Sequence, residues 1–164
     1  MKSEIKSKSV NVTAVRKITI SGIVMAVYIT TMFLTQGFAF GQYQIRIATS
    51  LYALSAIFPF LIVPMGLSNL LSNTLMGGLG LLDMMGGFIV GIITSGAIYL
   101  TKKYKMNDWL IAVPIILGPG LIVPIWLSYL LNVPYNILAS SIVIGQIVPA
   151  IVGVLLVQKL RQKI

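Results

Sequence analysis

Arg46 and Asp83 are the two charged residues that neither the chain ends nor the basic clusters account for. A guanidinium offers a planar fork of donors, and a carboxylate accepts two neighbouring N–H groups side by side. Around Arg46 stand Gln42, Tyr43 and Gln44, with Tyr52 following at helical spacing. Donors, acceptors and aromatic faces thus occur together. Asn69 and Asn73 are spaced i, i+4, on one face of a helix. Such a set supplies the groups of a binding site. It is not chemistry for transforming a solute. The chain has no His and no Cys, so thiolate nucleophiles, cysteine metal sites and disulfides are excluded. General acid–base work would fall on Glu4, Asp83 and Asp108, the only acidic residues. No catalytic residue, metal or cofactor is assigned, and an enzyme is not expected.

The surroundings of these residues are apolar. Of 164 residues, 57% are hydrophobic and 9% charged, with a mean hydropathy of +0.97. A soluble domain carries about 25% charged residues. The composition is that of a multi-pass cell-membrane protein. At about 20 residues per crossing the length allows six or seven helices and leaves no room for a soluble domain. The net charge of +9 does not point to nucleic acid, because the basic residues cluster at helix ends.

The fold class expected is all-α integral membrane, a bundle of six transmembrane helices in one domain over residues 18–160. A cytoplasmic tail covers 1–17 and a short cytoplasmic end 161–164. The spans run from about Ile18 to Phe38, Ile47 to Val63, Leu67 to Met76, Met84 to Leu100, Trp109 to Leu131 and Tyr135 to Leu160. Pro64 and Gly66 separate the second from the third, and residues 77–83 read as a glycine-rich loop. The third span is too short to cross about 30 Å of hydrocarbon as a helix. With the N-terminus inside, six crossings put eleven of the twelve basic residues in the cytoplasm and Arg46 outside. Both termini are then cytoplasmic.

Two readings of each polar feature are open at this stage. Arg46 can snorkel to headgroups and Asp83 can cap the fourth helix, or both can line a site. Asn69 and Asn73 can join helices or bind ligand. In the first span, Gly22 and Ala26 form a small-xxx-small pair that suits internal packing or the docking of a partner helix. The stretch "GGLG" at 77–80 is no phosphate loop, since it lacks the strand and the lysine. Active transport would therefore need a gradient or an energy-coupling partner.

The stretches "FGQYQIRIATSL" (40–51), "GLSNLLSN" (66–73) and "GGLGLLDMMGG" (77–87), with the small-residue first span, resemble the S components of energy-coupling factor (ECF) transporters. The closer resemblance is to the QueT group, assigned to queuosine precursors. It covers about half the chain. The part from Lys102 onward is similar only in hydropathy. In the family pattern the arginine is followed by a hydrophobic residue and then Ser-Glu-Ala-Leu. Here Ala48 and Thr49 stand in place of Ser and Glu.

The resemblance implies a vitamin-like solute bound from outside. It also implies docking on a transmembrane T subunit driven by two cytoplasmic ATPases. Arg46, Asp83, Asn73, Asn69, Gln44, Tyr43 and Tyr52 are the expected solute-binding residues, and Gly22 with Ala26 the expected docking face. A deazaguanine-type queuosine precursor is the expected substrate. The alternatives are another vitamin or cofactor precursor, and a non-transporting structural or assembly subunit.

Overall fold

The computed structural model describes residues 13–41, 43–76 and 78–163. Most of the expected N-terminal tail and Gln42 lie outside the described residues. Among them the chain is helical, without strands. Helix α1 spans Ala14–Leu34 and a single turn, α2, spans Gln36–Ala39. A 3-10 segment, Ile47–Ala56, and a short 3-10 turn, Pro59–Leu61, lead into α3, Ile62–Leu75. Helix α4 spans Leu81–Lys103. A 3-10 turn, Asp108–Ile111, leads into α5, Ala112–Leu131. The chain ends in α6, Tyr135–Gly145, and α7, Ile147–Arg161.

Among the described residues, four helical stretches are long and apolar enough to cross a membrane: Ala14–Leu34, Leu81–Lys103, Asp108–Leu131 and Tyr135–Arg161. The chain is a multi-pass membrane protein, as its composition requires. The second and third expected spans are shorter than a full crossing. The Ile47–Ala56 segment rises about 2.0 Å per residue, so its ten residues reach about 20 Å. The fourteen residues of α3 reach about 21 Å.

The boundary between these two spans falls at Ile57–Phe58, not at Pro64–Gly66. Pro64 sits in the first turn of α3, where its missing N–H would have had no helical partner. Gly66 lies inside α3, where it faces α4. Residues 81–83, read from the sequence as loop, form the first turn of α4. Residues 14–17, read as tail, are already helix.

A 3-10 run of ten residues is long for its type. Its side chains help to set it. Thr49 Oγ1 donates to the Arg46 carbonyl at 2.7 Å, and Ser55 Oγ to the Tyr52 carbonyl at 2.6 Å. These i to i−3 bonds favour the tighter turn. Polar residues recur at 46, 49, 52 and 55, the period of that helix. The segment is buried on most sides and forms the centre of the larger core, with Tyr28 and Met32 of α1 and Ala150, Val154 and Val157 of α7. A smaller core joins α4, α5 and α6 through Val90, Val123, Leu127 and Ile142.

Helices α3 and α4 approach closely because glycines face each other. A methyl group at Gly91 would lie 2.8 Å from the Gly66 Cα, and one at Gly66 would lie 2.9 Å from the Phe88 carbonyl. Backbone cannot yield cheaply at such distances. Gly91→Ala is therefore expected to destabilise the protein by about 1–3 kcal/mol, the range for overpacking. Gly96→Ala, where a methyl group meets nothing within 4 Å, should leave stability unchanged or raise it by up to about 1 kcal/mol. Thermal unfolding in detergent compares the two, and equal effects would refute the close approach.

The α6–α7 break follows from Pro149. Without an N–H it cannot donate to the Gly145 carbonyl four residues back, and its ring crowds that carbonyl. The end of α4, the turn before α5 and the end of α7 meet at Asp108, which bonds Lys102 and Arg161, the latter at 3.1 Å. The basic ends of α4 and α7 thus lie at the same end of the bundle.

Candidate functional site

Arg46 precedes the 3-10 segment and turns inward. It is only 5% exposed, so it does not snorkel to headgroups. Its Nη1 donates to Asn69 Oδ1 at 3.2 Å and to Asn73 Oδ1 at 3.4 Å, and its Nε to the Ala39 carbonyl at 3.4 Å. Its guanidinium carbon lies 5.0 Å from the centre of the Phe40 ring, within reach of a cation–π interaction. The i, i+4 amides of α3 do share one face, and that face holds the arginine.

Each amide is itself held. Asn69 Nδ2 donates to the Tyr52 hydroxyl at 2.8 Å, and Asn73 Nδ2 to the Asp83 carbonyl at 3.2 Å. Tyr52 is fully buried, stacked on Tyr28 with ring centres 5.8 Å apart and planes at 13°. Their hydroxyls lie 3.2 Å apart. Tyr52 therefore positions Asn69, and Tyr28 already covers one of its faces. Tyr43 is half-exposed.

Asp83 is 4% exposed and stands in the first turn of α4. Its Oδ2 accepts from the Leu79 N–H at 3.3 Å and its Oδ1 from Trp126 Nε1 at 2.9 Å. A carboxylate is favourable at a helix N-terminus, but Asp83 does not cap α4: Gly80 is the N-cap, and the carboxylate bonds the Leu79 N–H just before it. The arginine does not pair with it. Among the described residues both ion pairs are on Asp108. Asn73 joins Arg46 to Asp83, its side chain reaching the first as acceptor and the backbone of the second as donor.

The glycine-rich stretch before and after Asp83 makes this arrangement possible. Gly80 caps α4 with φ 95°, a conformation that favours glycine. A methyl group at Gly86 would lie 2.7 Å from the Trp126 ring. One at Gly87 would lie 2.8 Å from Asn73 Nδ2 and 2.9 Å from Asn69 Oδ1. The glycine pair thus admits the tryptophan on one side and the amides on the other.

A second set of contacts fixes the approach to Arg46. Gln146, fully buried at the α6–α7 break, places Oε1 2.8 Å from Thr49 Oγ1, whose one hydrogen it shares with the Arg46 carbonyl, and donates Nε2 to the Gln44 carbonyl at 3.1 Å. Gln44 has φ 43°, a left-handed turn that aims the chain back into the bundle. Gln44 thus contributes its backbone carbonyl to this cluster.

Phe40, Tyr28, Trp126 and Gln146 belong to this assembly and were not singled out by sequence reasoning. Gln146 carried a readable signal, as a polar residue inside the apolar run that ends at Leu160. The others looked like ordinary apolar content. Gly22 and Ala26 stand apart. Both are exposed on α1, and a methyl group at Gly22 meets nothing within 4 Å, so neither packs internally.

The buried residues are donors and acceptors with neutral or charged partners already in place. Nothing in the set resembles a nucleophile with its base. The arrangement suits recognition. No curated protein and no solved structure matches the chain. The family model described as QueT transporter matches residues 18–162, nearly the whole sequence, and the chain therefore belongs to the QueT transporter family.

Proposed function

We propose that the chain is the solute-binding S component of an ECF transporter and that it captures a deazaguanine-type queuosine precursor. The observation that carries this reading is the buried line from Arg46 through Asn73 to Asp83. It offers a donor fork at one end and a carboxylate at the other. A guanine-like base presents two N–H donors on one edge and a carbonyl on the next. Asp83 accepts the N–H pair, because each of its oxygens keeps a lone pair beyond the bonds to Leu79 and Trp126. Arg46 donates to the carbonyl. Asn69 and Asn73 hold the arginine, Tyr52 holds Asn69, and the backbone of Gln44 holds the entry segment. Tyr43, half-exposed, supplies the aromatic face.

In this reading residues 18–160 form one six-span domain with both termini cytoplasmic, and Arg46 lies toward the outer side. A T subunit and two cytoplasmic ATPases supply the energy. The basic ends of α4 and α7, gathered at one end, support the orientation. Single cysteines at Lys103 and Asn132 should label from opposite sides, with Asn132 reached from outside; external labelling of Lys103 would refute it. Calorimetric titration of the purified protein with a 7-deazaguanine tests the substrate. Tight binding is expected. Its absence would remove the substrate class, and a chain that binds no solute at all would be an assembly subunit.

A further inference from the structure

We propose that Arg46 selects the charge of the group that the base carries at C7, favouring a carboxylate and rejecting a protonated aminomethyl group. This rests on the deazaguanine reading above. Among the described residues no carboxylate lies within 4 Å of Arg46, since both ion pairs belong to Asp108. The partners of its guanidinium are neutral: the Ala39 carbonyl, the Asn69 and Asn73 amides and the Phe40 ring. Amide oxygens solvate a cation but do not cancel its charge. A buried cation without a counter-ion is costly, and more so in a membrane.

The other groups nearby do not reverse the sign. The Asp83 carboxylate accepts from Trp126 Nε1 and the Leu79 N–H and forms no ion pair with Arg46. Thr49, the next polar position after Arg46, is neutral and bonded to Gln146. A ligand amine beside Arg46 would therefore meet a positive charge with no carboxylate paired to it among the described residues. A ligand carboxylate would supply the missing counter-ion through a charge-assisted bond.

The geometry of the base places its C7 group at this point. In a guanine ring the carbonyl and the adjacent position 7 share one edge, the edge an arginine reads with both arms. In a 7-deazaguanine the C7 substituent projects from that edge. The N1 and N2 donors lie on the neighbouring edge, which suits Asp83. With Asp83 on N1 and N2, a guanidinium at the carbonyl lies beside the substituent.

The test titrates the purified full chain with three ligands: 7-deazaguanine, its 7-carboxylate and its 7-aminomethyl derivative. The carboxylate should bind at least about tenfold tighter than the unsubstituted base, and the amine weakest, near neutral pH. Arg46→Gln should collapse the order by weakening the carboxylate most. If that variant does not fold, the order in the wild type decides alone. Equal affinities, or an amine that binds tightest, would overturn the proposal. If none of the three binds, the substrate reading fails by itself. The charge rule is then read from thermal stabilisation by benzoate against benzylamine. Stabilisation by benzoate alone supports it. Any other outcome overturns it.

Discussion

Replacing Gly22 and Ala26 together by leucine is expected to abolish solute uptake by cells while solute binding by the purified protein persists. Both residues lie on the exposed face of α1, and a side chain at Gly22 enters open space. Two leucines there displace nothing inside the bundle, so the Arg46 assembly should survive. What they change is the surface. Gly22 lines a groove of about 420 Å³ with Lys17, Met25, Phe60, Pro64 and Leu67, where α1 meets the start of α3. Small residues let a second helix come within backbone distance, and large ones prevent it. In the proposed reading, an S component that cannot seat its T subunit binds but does not transport. Uptake is read with labelled solute in whole cells, and binding by calorimetry on the same variant. Retained uptake would remove this face from docking. Loss of both activities would show that α1 supports the site from within.

The second large effect is expected at Asp83. Asp83→Asn should weaken deazaguanine binding at least about tenfold, or about 1.4 kcal/mol. The substitution removes the charge that strengthens two bonds to the base. It also places an amide N–H where a carboxylate oxygen now accepts the Leu79 N–H, if the remaining oxygen keeps Trp126. Unmet donors at a buried position cost about 1–3 kcal/mol each. Trp126→Phe separates the two contributions. It removes one donor to Asp83 and leaves the carboxylate charged, so it should cost about 1 kcal/mol of stability and a smaller part of the affinity. Calorimetry gives the affinities and thermal unfolding the stabilities. Unchanged affinity in Asp83→Asn would exclude that carboxylate from ligand contact.

Membrane residence, helical class and transport character were legible from composition, from the spacing of apolar runs and from three short stretches. These features are local or additive, so a one-dimensional string carries them. The inward face of Asn69 and Asn73 was legible for the same reason, since i, i+4 spacing fixes a helix face once the helix exists. The break at Pro64–Gly66 was misread because proline and glycine are local breakers only when nothing compensates. The first-turn position removes the proline's cost, and close packing on Gly91 gives the glycine its purpose.

Only the tertiary structure decided the wiring. Arg46 takes two asparagines 23 and 27 residues away and leaves Asp83 unpaired with it. Gln146 reaches back 102 residues to the Gln44 carbonyl. Trp126, one apolar residue among many in α5, proves to be the donor to Asp83 across 43 residues. Such choices depend on which helices lie side by side and on how closely their glycines let them approach. Residue types and local spacing restrict the possible partners, but the packing of the bundle selects among them.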